Sequence, residues 1–228
     1  PGVKTYALPI YLTSDTIAMG WIDSSSLAAG ALASRFYQPF FFLALGISLA
    51  VGPLVAQGIG AGDERQVRRA FRQGMVIAVA LGLVTAPLLL FGEQVLVLLG
   101  QDPELAAIGQ PFLFWSSFGL PFMFLSVVLR QFLLSHQRPM PQVIALIIAL
   151  AANVALNEAF VSGIGPFPAM GLAGIALATT IVYALLCAGL IAYIAMIQPF
   201  LDSRPFQRLW VMDWAVTAWL LRIGVPIG

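Results

Sequence analysis

Six apolar stretches, at residues 5–22, 32–57, 74–91, 111–134, 142–161 and 171–197, fill most of this chain, and a seventh begins near its end. Each is long enough to cross a hydrocarbon layer as a helix. At these lengths only a helix satisfies its own backbone polar groups in lipid. Composition agrees: 9% of residues are charged and 60% hydrophobic, whereas soluble domains carry about 25% charged residues. A soluble fold leaves about a quarter of its unfolded surface in water, and a chain this apolar has too little polar surface to cover it. The expected fold class is an all-α integral membrane protein with six transmembrane helices and the start of a seventh. No nucleic-acid partner is expected: the net charge of +1 is uninformative, and no compact basic cluster is interleaved with aromatics. The single cysteine, Cys187, lies in the middle of the sixth stretch, so neither a disulfide framework nor a thiolate metal site is expected. Lys4 precedes an apolar run with no small-residue cleavage site after it, so no cleavable signal peptide is read.

The cationic residues set an orientation. Lys4 precedes the first span, and Arg65, Arg68, Arg69 and Arg72 lie between the second and third. Arg130 and Arg138 fall at and just after the end of the fourth, and Arg204 and Arg208 follow the sixth. Alternating spans put all of these on one side, whereas the opposite connections hold Asp23, Glu93, Asp102 and Glu104. The bias of basic loops toward the cytoplasm places the N-terminus inside. Arg35 is the exception, near the outer end of the second span, with a stem long enough to reach water.

Two connections read as a helix stop followed by a start. In Gly58-Ile-Gly-Ala-Gly-Asp-Glu-Arg65, glycines end one helix and Asp63 caps the next. Arg65, Arg68, Arg69 and Arg72 then share one face, as headgroup contacts or as a solvated helix end. In Gln101-Asp-Pro-Glu104, Asp102 is the cap and Pro103 opens the helix, with Pro111 and Pro121 as expected bends. Just before it, Val95, Leu96, Leu98 and Leu99 form a short interfacial segment. Trp210 and Trp214, in the polar-aromatic stretch after the sixth span, suit a membrane interface.

Polar residues inside the spans carry the functional argument. Asp15 is an acid in the first span, and a carboxylate at such a place costs several kcal/mol unless neutralised, paired or wetted. The competing reading is an interfacial acid reaching for water. Asn153 and Asn157, four apart, share one face of the fifth span. Hydrogen bonding between helices accounts for them as well as a ligand does. Depth brings the groups together. Asp15, Asn153 and, in the sixth span, Thr179 lie about seven to nine residues from the outer end, which at ~1.5 Å per residue is one level. A carboxylate, two amide oxygens and a hydroxyl at one depth suit a hard cation or a protonation site. Tyr183, one turn beyond Thr179, is either cavity lining or a packed aromatic. Glu158 points away from the asparagine face toward solvent, and His136, in a turn before Pro139 and Pro141, is given no role. Gly171, Gly174 and Ala178 put small residues on one side of the sixth span, favouring close packing.

Taken together, several motifs resemble the MATE (multidrug and toxic compound extrusion) family in its NorM-like branch. They are Asp15-Thr-Ile-Ala-Met-Gly20, Pro53-Leu-Val-Ala-Gln-Gly-Ile-Gly-Ala-Gly62, Leu99-Gly-Gln-Asp-Pro-Glu-Leu105, Asn153-Val-Ala-Leu-Asn157, Gly174-Ile-Ala-Leu-Ala-Thr179 and Leu221-Arg-Ile-Gly-Val-Pro-Ile-Gly228. The last echoes the Pro-Ile opening of the first span and marks the beginning of a second repeat. The resemblance implies one lobe of a two-lobe transporter: a six-helix lobe over 1–197, a cytoplasmic connector over 198–216 and the start of helix seven over 217–228. The C-terminal lobe is then missing, and the chain reads as a fragment or a truncated product. The implied function is multidrug efflux by alternating access in the bacterial inner membrane, exchanging Na+ or H+ for cationic and amphipathic drugs. The implied partners are small-molecule drugs or toxic organic cations, membrane lipids and the missing lobe, with no cofactor beyond the coupling ion and no enzymatic activity. The family's N-lobe cation site is carried onto Asp15, Asn153, Asn157 and Thr179. Pro9, six residues before Asp15, departs from the longer run of the family.

Other classes fit less well. A lipid-linked oligosaccharide flippase of the same superfamily calls for a basic cavity, and only Arg35 is available. An intramembrane protease needs a second membrane aspartate or a serine–histidine pair within the bilayer. A non-transporting membrane scaffold is the remaining alternative.

Overall fold

The structure is a computed structural model that describes residues 15–20, 22–164, 168–197, 200, 206 and 213–224. Every regular element among the described residues is an α-helix. In chain order these are α1 (15–20), α2 (Ser24–Gly60), α3 (Glu64–Leu90), α4 (Gly92–Leu98), α5 (Pro103–Ser135), α6 (Met140–Ser162), α7 (Leu172–Met196) and α8 (Trp214–Gly224). Five of them, α2, α3, α5, α6 and α7, are long and apolar enough to cross a membrane, matching expected spans two to six. Most of span one lies outside the described residues, and α8 covers the expected start of a seventh helix. Arg35 is exposed on α2, as its long stem requires.

The helix ends follow the capping chemistry of the sequence. Asp63 Oδ1 accepts from the Arg65 and Gln66 amides at 2.9 and 3.0 Å, and Asp102 Oδ1 from those of Glu104 and Leu105 at 2.8 and 3.4 Å. Gly62, at φ +66°, takes the left-handed turn that ends α2. In that turn the Asp63 amide donates to the Gly58 carbonyl at 2.9 Å. Asp23 also proves to be a cap: its carboxylate accepts from the Ser26 amide at 2.7 Å and from the Ser25 and Ser26 hydroxyls. Those bonds, the Ser25 hydroxyl first, hold the Asp23 carboxyl below the usual aspartate range. Pro111 and Pro121 both lie within the unbroken α5.

The chain contacts divide into two compact units, which the long helices thread in turn. The first comprises 1–38, 86–119 and 146–182. It is packed on small residues, as helices in lipid must be when no hydrophobic force presses them together. A Cβ on Gly174 would stand 3.0 Å from the Phe160 carbonyl oxygen, and one on Gly109 would stand 3.1 Å from that of Ala29. Gly174 and Ala178 thus behave as the sequence implies. Gly171 does not share their stripe: it precedes α7 at φ +54° and serves the turn. Gln110 bridges the break between α3 and α4, donating to the Leu90 carbonyl and accepting from the Glu93 amide, both at 2.7 Å. α4 is the expected short amphipathic segment, with Leu96 buried and Leu98 and Leu99 exposed.

The second unit comprises 39–85, 120–145 and 183–228. Its centre is aromatic: Phe71 stacks on Phe132 at 4.0 Å, and Phe200 packs on Phe132 and His136. His136 is a structural residue, with Nδ1 2.8 Å from the Phe132 carbonyl. Burial lowers the affinity of its ring for a proton; the Phe132 carbonyl partly opposes this and the Arg138 charge adds to it. α8 is tied to α3 by a buried hydrogen bond from the Thr217 hydroxyl to Gln73 Oε1 at 2.9 Å. The four arginines of α3 do not form one solvated row. Arg72 is buried, Arg68 pairs with Glu64 at 3.4 Å, and Arg69 lies 3.9 Å from Asp213.

Candidate functional site: a buried carboxylate among neutral partners

The first unit turns the usual amphipathic pattern inside out. On α6 the outward residues are Ile147, Ile148 and Val154, all exposed, whereas the buried set is Ala149, Asn153, Asn157 and Phe160. The inward stripe is the polar one, because lipid rather than water surrounds the helix. α1 presents Asp15, Ala18 and Met19 at i, i+3 and i+4, all buried, with Ile17 exposed. α7 brings Thr179 from a face otherwise made of Ile175, Ala178 and Val182.

These three helices converge on Asp15, which is only 8% exposed. The Asn157 amide donates to Asp15 Oδ1 at 3.0 Å and to Asn153 Oδ1 at 3.3 Å. Asn153 donates to the Thr179 hydroxyl at 3.0 Å, and that hydroxyl donates to the Asp15 carboxylate at 3.2 Å to Oδ2 and 3.4 Å to Oδ1. The chain of bonds is directional and ends on the carboxylate, the only group in it that accepts without donating. No cation pairs with Asp15 among the described residues.

One polar atom is left over. Asn157 Oδ1 is buried and has no hydrogen-bond partner among the described residues, an uncommon condition for a buried acceptor and one costing about 1–3 kcal/mol. The oxygens gathered here belong to one carboxylate, two amides and a hydroxyl, a hard donor set suited to a small cation that prefers oxygen. No group of three or more His, Cys, Asp or Glu side chains exists among the described residues, so nothing matches a transition-metal centre. The single carboxylate balances one positive charge.

The four residues that depth and shared face group in the sequence are thus joined in one connected set of hydrogen bonds. Tyr183 is half-buried one turn further along α7 and falls in the second unit. Glu158 is exposed. Asn153 buried at 0% and Asn157 at 1% rule out a lipid-facing position for either amide.

Comparison with known proteins supplies the family. The MatE family model matches residues 3–159. A probable multidrug resistance protein NorM of Bradyrhizobium diazoefficiens is 36% identical over 95% of this chain and 47% of its own length. Its counterpart in Pseudomonas aeruginosa is 32% identical over 94% of this chain and 44% of its own. The chain therefore spans about half the length of the curated relatives it matches. Among solved structures, the eukaryotic MATE transporter AtDTX14 superposes with a TM-score of 0.87 at 20% identity, covering 97% of this chain and 48% of that one. An inward-facing multidrug resistance MATE family transporter superposes at 0.84 with 18% identity, covering 100% and 50%. With its family model, its relatives and its fold in agreement, this chain, an integral membrane protein, belongs to the MatE family.

Proposed function

We propose that the protein supplies the N-terminal lobe of a multidrug efflux antiporter, and that Asp15, Asn153, Asn157 and Thr179 hold its coupling ion, Na+ or H+. The observation that carries this reading is the buried Asp15 carboxylate, held at 3.0–3.4 Å by neutral groups from two other helices. A cation or proton arriving there removes a charge that lipid-embedded helices tolerate poorly. The empty and loaded states then differ in the electrostatic cost of packing α1 against α6 and α7, the difference an ion needs to bias a conformational equilibrium. A loaded cation would draw on the two Asp15 oxygens, the Thr179 hydroxyl and an amide oxygen from each asparagine.

In this reading residues 1–197 form the lobe, 198–216 the cytoplasmic connector and 217–228 the start of helix seven, with the N-terminus inside the bacterial inner membrane. Alternating access needs two bundles around one cavity, so the lobe works with a second one, and Tyr183, one turn beyond Thr179, lines the same cavity. The substrates are cationic or amphipathic small molecules, in keeping with the multidrug resistance proteins among the relatives.

The test is drug efflux from inverted vesicles carrying the full-length transporter with Asp15→Asn, under imposed Na+ and H+ gradients. The amide keeps the size and hydrogen bonding of the acid but neither releases a proton nor balances a cation. Loss of gradient-driven efflux with normal membrane insertion supports the assignment. Unchanged efflux with unchanged dependence on both gradients makes Asp15 a packing residue.

A further inference from the structure

We propose that a cavity between the α2–α3 turn and the start of α8 binds a zwitterionic phospholipid headgroup, the phosphate on Arg65 and Arg69 and the primary amine on Asp63 and Asp213. The cavity measures about 340 Å³ and is lined by Asp63, Arg65, Gln66, Arg69, Leu54 and Val216, with Asp213 beside the lining, 3.9 Å from Arg69. That is the lower end of the range for small-molecule sites, about 300–1,000 Å³. All of it lies within the second unit.

Depth selects the ligand. The apolar run of α3 starts at Gly74, so Arg69 and Arg65 stand about 8 and about 14 Å before it along the helix axis. Headgroups occupy the first ~5–8 Å beyond the hydrocarbon, and an arginine stem spans the rest. The guanidinium groups are open to a ligand. Arg65 makes no ion pair among the described residues, and the 3.9 Å separation of Arg69 from Asp213 is too long for a hydrogen bond. Two guanidinium groups at one cavity match the oxygens of a phosphodiester.

Charge balance then distinguishes a zwitterion from an anion. Asp63 uses Oδ1 to cap α3, and its Oδ2 accepts nothing among the described residues. Asp213 caps α8 through Oδ1, which accepts from the Val216 amide at 3.3 Å, and turns Oδ2 toward Arg69. Two fixed carboxylates beside two arginines leave no net positive charge for an anionic lipid. They do offer acceptors to an ammonium a few bonds from its phosphate. A quaternary amine has no N–H to donate and gains less. A headgroup held this way bridges the turn after α2 to α8, beside the buried Thr217–Gln73 bond.

The test is native mass spectrometry of the full chain in detergent, titrated with phosphatidylethanolamine, phosphatidylcholine or phosphatidylglycerol of the same acyl chains. Phosphatidylethanolamine should be retained roughly three- to tenfold better than either of the others, a ratio below that of a buried charge-assisted hydrogen bond because Asp63 is exposed and its contacts are screened. The double variant Arg65→Gln/Arg69→Gln should lose this selectivity. Asp63→Asn keeps the α3 cap, since asparagine caps as well as aspartate, and should shift preference toward phosphatidylglycerol. Equal retention of the three lipids, or selectivity untouched by either variant, overturns the site. Preference of the unaltered chain for phosphatidylglycerol overturns the zwitterionic assignment, and displacement of the lipid by millimolar phosphoethanolamine overturns a membrane source.

Discussion

Asp15 and Asp102 are the same side chain put to opposite uses. Asp102 is exposed and bonded to amides two and three residues ahead, a contact its own neighbours dictate. Asp15 is buried and bonded to groups 142 and 164 residues away. Removing the charge of Asp102 costs a fraction of a helix cap, because asparagine replaces it there. Removing the charge of Asp15 leaves the packing in place and takes away the only titratable group in the cluster. An acid that serves structure is satisfied locally; one held at long range by two other helices has to be accounted for by what it binds.

The largest expected effect therefore belongs to Asp15. In the full-length transporter Asp15→Asn should abolish gradient-driven efflux, whereas Asp102→Asn should leave it within about twofold, since a cap substitution of this kind costs only tenths of a kcal/mol. Parallel efflux assays in vesicles check both, and comparable losses from the two would erase the distinction. Asn157→Ala should fall between them. It removes one neutral ligand and one donor to Asp15, so the ion concentration for half-maximal efflux should rise roughly tenfold or more, in line with about 1.5–3 kcal/mol per hydrogen bond to a charged group.

The distinction was partly legible from residue order alone. Asn153 and Asn157 declare a common face by their spacing, and counting residues from the span ends puts Asp15 and Thr179 at their level. The caps Asp63 and Asp102 are equally plain, because capping needs only the residues next in line. Long-range polar bonds leave no such signal. Gln110 clamping the α3–α4 break and Thr217 docking α8 on Gln73 look like ordinary helix-end residues until the helices are packed. Arg72 is the sharpest case: its spacing joins it to three surface arginines, but the packing around Phe71 and Gln73 buries it. Span one shows the converse, since most of its expected residues lie outside those described.

Packing next to the cluster gives a smaller effect. Gly174→Leu forces a side chain against the Phe160 backbone and should lower stability by about 1–3 kcal/mol, read from unfolding of the purified chain. An equal substitution at Gly60, where a Cβ meets nothing within 4 Å, should change far less. The smallest effect is expected at His136. Its folded-state proton affinity lies below the ordinary imidazole value of 6.5 because of burial. The unfolded chain therefore binds more protons between the two values, and stability is lost as pH falls through that window. Above it, the ring is neutral in both states and nothing is lost. His136→Gln should flatten the stability profile as pH falls below the ordinary imidazole value of 6.5, and a profile unchanged by the substitution would remove His136 from the account.

The central claim is that Asp15 itself meets the ion, and infrared difference spectroscopy of the purified chain in lipid tests it without requiring transport. Spectra are recorded on exchanging Na+ for choline at fixed pH, and again across a pH step without Na+. At least one exchange should change the carboxyl bands, and Asp15→Asn should abolish that change while preserving the amide bands of the helices. Superimposable difference spectra of the unaltered chain and Asp15→Asn under both exchanges would contradict the account.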